Sequence, residues 1–168
     1  DWFKNYSNIP GKSIGVVQGK TYQEIKDCYR AIDELSPCDM IAISFDYSYY
    51  TESAPHPNKY VSWMLGRVKL IGDLLRDGII NKDKPHHLLG CGLPQEFSFY
   101  KHADYNFIYS LDTSNPVVHG LKGIEYAQEG LWSKESQKLH ELIDVPLEEI
   151  DIEKVLNNIK KFRWLTNG

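Results

Sequence analysis

Several features that identify common protein classes are missing from this sequence. It has no apolar run of membrane-spanning length and no amino-terminal signal-peptide pattern, so we expect no membrane partner. Its formal net charge of -4 gives no general basic field, and nucleic-acid binding would therefore require a local patch. Three cysteines without C-x-x-C spacing indicate neither a disulfide framework nor a zinc knuckle, which favours a reducing cytoplasm.

The length of the chain and its composition are those of one folded domain. With 168 residues, the chain is long enough for a single sizeable core, and we treat residues 1–168 as one domain. The hydrophobic fraction of 42% and the charged fraction of 25% are ordinary for a globular protein, so disorder is not expected. Because the chain begins with Asp1 rather than Met, we expect a processed chain or a piece of a longer one.

Apolar runs and helical patterns alternate along the chain. The predicted strands cover residues 13–19, 40–45, 86–91 and 105–112. Thr21 and Glu24 have capping-box spacing and predict a helix after the first strand, and apolar periodicity predicts a second helix from Lys59 to Asp77. Four such βα units indicate an α/β fold with a parallel sheet in sequential strand order and right-handed crossovers.

Three further segments are predicted with less regular patterns. Residues 46–58 form an aromatic stretch that we interpret as a long loop, either functional or a surface excursion. Leu93-Pro94 predicts the start of a short helix. The tail predicts helices near 134–143 and 147–162, the second amphipathic with Leu156 on its apolar face.

The candidate site residues follow the predicted strands. In parallel α/β folds ligands bind at the carboxyl ends of the strands. In this sequence those ends carry Gln18-Gly19, Ser44-Phe45-Asp46, Leu89-Gly90-Cys91-Gly92 and Asp112. A glutamine can pair with a nucleobase edge, glycines let a flat ligand approach the backbone, and a carboxylate can act as nucleophile. Asp112 has a simpler alternative, in which its side chain caps the segment that follows.

The order of these segments resembles the tRNA-guanine transglycosylase family, which exchanges guanine for a 7-deazaguanine base. The similar segments are "VVQGKTYQEIKD", "PHHLLGCGLPQEF" and "YSLDTSNPVVHG". The resemblance covers roughly residues 13–125, and it implies that this part forms about half of a TIM-barrel-like fold, followed by a helical tail over 126–168. The resemblance extends to phage-type or DNA-acting relatives within this family.

The resemblance also implies roles for individual residues. Asp112 corresponds to the catalytic nucleophile and Gln18, next to Gly19, to the glutamine that hydrogen-bonds the base. Leu89 replaces a methionine that packs against the base, and Gly90 follows it as in the family. Ser44 and Phe45 lie where the family has two base-recognising glycines. Asp46 follows them as a changed specificity element or a loop cap.

The sequence departs from the family pattern in three respects. No cysteine follows Asp112, so the family's zinc site has no counterpart, and we expect neither structural zinc nor a cofactor. His119 and His140 are interpreted as surface or capping residues. Val118 and Leu121 replace the family's arginines, and the barrel's first half, with its own aspartates, is missing. We therefore expect either a homo-oligomer or a missing amino-terminal half.

Two functions remain open from the sequence. One is a base-exchange enzyme that acts on tRNA or DNA through a covalent intermediate on Asp112, with Tyr47, Tyr49 and Tyr50 available to stack on a flipped-out base. The other is a non-catalytic subunit or binding domain that keeps the fold. Asp112 and Gln18 favour the enzyme, and the missing half favours the binding domain.

Overall fold

A computed structural model describes residues 10–35, 38–44, 48–127, 130–135, 139–142 and 145–167. Four parallel strands in the order β1-β2-β3-β4 form its sheet. The strands are β1 (Ile14–Val17), β2 (Met40–Ile43), β3 (His86–Leu88) and β4 (Ile108–Leu111). The α/β class and the sequential parallel order are therefore confirmed, although each strand is shorter than predicted.

The helices predicted within the first two βα units are present. Helix α1 (Tyr22–Leu35) begins at the predicted capping box: the Glu24 amide donates to Thr21 Oγ1 at 3.2 Å, and the Thr21 amide donates to Glu24 Oε2 at 3.1 Å. Helix α3 (Lys59–Arg76) is capped by Asn58, whose side chain accepts from the Tyr60 amide. Helical periodicity after the capping box predicts Leu35 on the apolar face of α1, but this side chain lies at the end of the helix and is 81% exposed.

The segment 46–58 is not an irregular loop throughout. Helix α2 (Ser48–Ser53) occupies its centre and packs against α3 through the buried ring of Tyr50. The hydroxyl of Tyr50 donates to the Ser44 carbonyl at 2.9 Å and so ties α2 to the end of β2. Tyr47, one of the candidate stacking residues, lies outside the described residues.

The region after β4 differs most from the prediction. The sequence predicts that Asn115 and Pro116 stop the fourth strand, but these two residues begin helix α4 (Asn115–Leu121). His119 on this helix is fully buried rather than superficial, because α4 packs against the terminal helix α5 (Ile152–Asn167) and the ring of Tyr126. His140 is exposed, as expected.

The predicted tail helices are shorter or begin later. Within the described part of 134–143 the only helix is a 3₁₀ turn, Leu139–Leu142, and the predicted helix 147–162 divides into a 3₁₀ turn, Leu147–Glu149, and α5. Leu156, assigned to the apolar face of α5, is 49% exposed, whereas Asn158 is fully buried. Asn158 accepts from the Tyr126 amide and donates to the Ile124 carbonyl, so this buried face is partly polar.

The two faces of the sheet are covered differently. Val17, Ile41, Ile43 and Leu88 alternate onto the face that packs against α1 and α3, and all four are fully buried. On the opposite face Ile14 is 48% exposed and Val16 36% exposed. None of the helices in the described part of the chain is both long and apolar enough to cross a bilayer.

Candidate functional site

The strand register brings four of the predicted site residues to the same end of the sheet. Val17, Ile43, Leu88 and Leu111 are register partners across the four strands. Gln18, Ser44, Leu89 and Asp112 are the next residues in each strand, and together they form the layer directly beyond the sheet. Phe45 and Asp46, the two other candidates from this layer, lie outside the described residues.

This layer places Gln18 and Asp112 at opposite sides of the sheet. β1 and β4 are the two outer strands of the described sheet, with β2 and β3 between them. Three strand spacings correspond to about 14 Å measured along a flat sheet. A ligand that contacted both side chains would therefore lie across the ends of β2 and β3, over Ser44 and Leu89.

Asp112 is held at the strand end by two donors. Its Oδ1 accepts from the Gly90 amide at 3.0 Å and lies 3.0 Å from His87 Nε2. Its side chain is 59% exposed, and the described residues donate no hydrogen bond to Oδ2. Asp112 does not cap α4, because Ser114 occupies the N-cap position and the Asn115 amide donates to Thr113 Oγ1. The carboxylate is thus oriented by β3 and open to solvent.

His87 and Ser110 extend this polar cluster along the sheet face opposite α1 and α3, named the uncovered face here because it carries the exposed side chains of Ile14 and Val16 among the described residues. The Nδ1 atom of His87 lies 2.8 Å from Ser110 Oγ, and its side chain is 15% exposed. Neither residue is among the site residues predicted from the sequence. The signal for Ser110 was its position two residues before Asp112, which places both side chains on one face of a strand. The signal for His87 was weaker, because its pairing with Ser110 depends on the register between β3 and β4.

A buried ion pair supports the same strand end from the helix-covered side. Arg67 and Glu96 are fully buried and form two hydrogen bonds of 2.7 Å, and Tyr100 donates to Glu96 Oε1 at 2.8 Å. Burial alone lowers the pKa of the Arg67 guanidinium, but the Glu96 carboxylate more than offsets this, so the pKa is raised. Burial, and then the charge of Glu96, raises the pKa of the Tyr100 hydroxyl. These pKa shifts keep Arg67 charged and Tyr100 neutral.

The peptide group between Leu89 and Gly90 joins the ion pair to Asp112. Arg67 Nη1 donates to the Leu89 carbonyl at 2.8 Å, and the Gly90 amide on the other side of the same peptide bond donates to Asp112. Gly90 has a φ of 63°, a conformation that a residue with a side chain rarely adopts. The glycine therefore lets the chain turn so that this amide faces the carboxylate.

The other end of the layer is formed by Gln18 and Gly19. The Gln18 amide lies 3.2 Å from Cys28 Sγ, while its side chain is exposed. A Cβ atom at Gly19 would lie 2.6 Å from the Ile25 amide nitrogen, so only glycine allows the chain to pass this close to α1. Gln18 is consequently fixed through its backbone and free to turn its amide group toward a ligand.

A groove opens beside Asp112 between β4 and α5. Its volume is about 620 Å³, and Leu111, Val117 and Phe162 form part of its wall. Tyr109, which is 76% exposed, and Arg163 also line it. The side chain of Arg163 has no acidic partner among the described residues. The lining therefore combines apolar side chains with one cation, Arg163, and one carboxylate, Asp112.

The comparisons with known proteins add no relative. No protein-family model, no curated protein and no solved structure matches this chain. Within the described residues, no three His, Cys, Asp or Glu side chains lie close enough together to hold a metal ion. Cys28, Cys38 and Cys91 are unbridged, and burial raises the pKa of the Cys91 thiol, which makes it a poor thiolate ligand.

Proposed function

We propose that this chain belongs to a transglycosylase-like protein that exchanges a guanine in a polynucleotide for a 7-deazaguanine base, with Asp112 as the nucleophile. One observation carries the proposal: the Asp112 carboxylate lies at the carboxyl end of a parallel strand, exposed, with Oδ1 bonded to the Gly90 amide and Oδ2 free of hydrogen bonds from the described residues. A carboxylate held through one oxygen presents the other to an electrophile.

The reaction proceeds in two displacements. Asp112 Oδ2 forms a bond to the anomeric carbon of the nucleotide while the bond from that carbon to guanine N9 breaks. Guanine leaves with the electron pair and takes a proton from water. The incoming base then attacks the same carbon through its N9, loses its proton to water and regenerates the carboxylate. The covalent intermediate divides one difficult substitution into two easier ones.

The groove beside Asp112 supports a polynucleotide as the substrate. Arg163 supplies a cation for a phosphate, and the exposed ring of Tyr109 supplies a face on which a neighbouring base can stack. Gln18, Ser44 and Leu89 lie in the same layer as Asp112, within reach of a flat base that spans the strand ends. The substrate is either tRNA or DNA, and the target nucleotide has to be flipped out of its stack.

The proposed fold is half of a TIM-like barrel. Within the described residues β1 and β4 each pair with one neighbour, and the sheet face opposite α1 carries the exposed side chains of Ile14 and Val16. A second copy of this chain, or further chain supplying the remaining strands, would complete the sheet and cover this face.

The same exposed face favours a second candidate function, a non-catalytic subunit. Ile14 and Val16 form apolar surface on an edge strand, and such surface is usually covered by a partner. In this alternative Asp112 only fixes the turn at Gly90, and the chain contributes its sheet to another protein. The two candidates differ in whether Asp112 forms a bond to nucleic acid.

The test is base exchange with labelled guanine by the purified protein, measured with tRNA and with DNA. The Asp112→Asn variant keeps an oxygen that accepts from Gly90 but lacks a nucleophile, so we expect exchange to fall at least about a thousandfold. Asp83→Asn, which changes an exposed aspartate before β3, is the matched control and should retain full exchange. A denaturation-resistant protein–nucleic acid adduct should form with wild type alone. Equal exchange by wild type and Asp112→Asn, or no exchange with either polymer, would favour the non-catalytic subunit.

A further inference from the structure

His87 and Ser110 have no role in the two displacements, although His87 is hydrogen-bonded to the nucleophile and Ser110 to His87. His87 connects Ser110 Oγ, 2.8 Å from Nδ1, to Asp112 Oδ1, 3.0 Å from Nε2. The three side chains lie on the uncovered face of the sheet, where Ser110 is the register partner of His87. A serine, a histidine and an aspartate are hydrogen-bonded in series here. In such a series each group determines which atom of the next one carries the hydrogen.

The acceptors in this series determine the tautomer of the histidine. An ionised carboxylate only accepts hydrogen bonds, so the hydrogen between His87 and Asp112 belongs to Nε2. In the neutral ring Nδ1 then has a free lone pair and accepts from the Ser110 hydroxyl. The other acceptor near this hydroxyl, Met40 Sδ, is 4.0 Å away, too distant to compete with Nδ1 at 2.8 Å.

The two donors to Asp112 act on the same oxygen. The Gly90 amide and His87 Nε2 both bind Oδ1, at 3.0 Å each. The amide comes from the turn after β3 and the ring from the strand itself, so two separate points of β3 fix the plane of the carboxylate. With one donor removed, a single hydrogen bond would hold the carboxylate against rotation about χ2, whose intrinsic preference is broad.

We propose that His87 is the positioning residue of Asp112, held by the Ser110 hydroxyl in the tautomer with hydrogen on Nε2, so that Oδ1 is fixed and Oδ2 is directed to the anomeric carbon. This inference rests on the proposed function and adds to it a residue that acts through the nucleophile. It also assigns Ser110 a purpose, since a serine at that register position orders the ring and carries out no bond-forming step.

The activity test compares two replacements of His87. In His87→Gln the side-chain amide keeps a donor near the position of Nε2, whereas His87→Phe keeps the ring shape and has no donor. We expect kcat for base exchange to fall roughly tenfold to a hundredfold in His87→Phe, the range typical of residues that orient a reacting group, with KM unchanged. His87→Gln should recover most of that loss. Equal kcat values for the two variants, or a loss confined to KM, would overturn the inference.

A second measurement does not depend on activity. Long-range proton–nitrogen NMR spectra of the ¹⁵N-labelled chain report the tautomer of each of its six histidines, and the His87→Gln spectrum assigns the relevant signals. We expect His87 to carry its hydrogen on Nε2 at pH 8 in wild type, and Ser110→Ala to mix the two tautomers. A wild-type ring with hydrogen on Nδ1, or on both nitrogens, would contradict the inference.

The two measurements separate failure of the inference from failure of the proposed function. A protein without base exchange whose His87 ring is ordered on Nε2 contradicts the proposed function and leaves the hydrogen-bond assignment supported. A protein with exchange that is lost in Asp112→Asn but unchanged in His87→Phe supports the function and contradicts the positioning role. Thermal unfolding of each variant shows that the comparison is made on folded protein.

Discussion

His86 and His87 are consecutive residues of β3, and they lie on opposite faces of the sheet. His86 is fully buried beneath α1, where its Nε2 lies 2.8 Å from the Tyr29 hydroxyl and its Nδ1 2.8 Å from the Lys84 carbonyl. His87 lies on the uncovered face, bonded to Ser110 and Asp112. One strand therefore carries a histidine of the core next to a histidine of the candidate site.

The two faces differ in how far the hydrogen-bonding atoms of their polar side chains are already used. On the helix-covered face Arg67, Glu96 and Tyr100 bond to one another and Arg67 also to the Leu89 carbonyl, and the side chains of Arg67 and Glu96 are fully buried. On the uncovered face Asp112 has one oxygen held and one available. Buried charges thus serve the fold, and a half-satisfied exposed carboxylate is suited to chemistry.

The largest expected effect is on the covered side, at the buried ion pair. Arg67→Met leaves the Glu96 carboxylate buried without its partner, so we expect the free energy of unfolding to fall by about 3–5 kcal/mol. The double variant with Glu96→Leu, which removes both charges, should recover part of this loss. Asp112→Asn is the comparison on the open side and should change stability by less than about 1 kcal/mol. Urea unfolding measures all three, and a stable Arg67→Met single variant would show that the pair is not a support.

A smaller effect is expected from the pH dependence of stability. Burial lowers the pKa of His86 to about 4, even though its bond to the Lys84 carbonyl favours the charged ring. The unfolded chain takes up a proton at this histidine near pH 6.5, whereas the folded chain takes it up only near pH 4. Stability is therefore complete above pH 6.5 and falls as the pH drops to 4, by up to about 3 kcal/mol.

The check on this prediction is urea unfolding at pH 7 and pH 4.5 for wild type and for His86→Gln, which has no titrating ring. We expect the wild type to lose more stability between the two values than the variant does. Equal losses would mean that His86 titrates in the folded protein as it does in the unfolded chain, and that the covered face admits charge.

The smallest effect belongs to the groove on the open side. Arg163→Ala removes one cation near Asp112. The logarithm of the DNA-binding constant falls linearly with the logarithm of the salt concentration, and we expect this slope to become shallower by about 0.9 for duplex DNA. Lys160→Ala, which removes an exposed cation of the same helix outside the groove, is the control and should leave the slope closer to wild type. Fluorescence anisotropy with labelled DNA measures both, and identical slopes for the two variants would place the nucleic acid elsewhere.

Much of the sheet could be predicted from the sequence, because buried parallel strands are continuous apolar runs. The sequential order of the strands and the position of Asp112 beyond the last one follow from those runs. The contact between Asp112 and the Gly90 amide agrees with the prediction that both residues lie at the same end of the sheet. What stays a prediction is the half-barrel and the reaction, since no relative of the chain was found.

The features that were missed depend on what packs against each segment. Asn115-Pro116 was read as a stop, although proline fits the first turn of a helix, and α4 is present because α5 covers it. Leu35 and Leu156 follow helical periodicity and are exposed, because periodicity does not show where a neighbouring element ends. His87 could not be assigned to the site without the register of β4 against β3.

The pairing of β3 with β4 contains a β-bulge, and this bulge affects which deletions in β4 the site can tolerate. His86 pairs with Ile108, but His87 pairs with Ser110, so Tyr109 is an extra residue in β4. Regular pairing of the same sequence would set Tyr109 against His87 and turn both Ser110 and Asp112 to the other face. Tyr109 is thus a spare residue, because losing it leaves Ser110 and Asp112 in phase with His87. Losing Ser110 would remove the hydroxyl, and losing Leu111 would make Ser110 and Asp112 neighbours that point to opposite faces. Among natural variants of this chain, a length change in β4 is tolerable at one position and disabling at the next two.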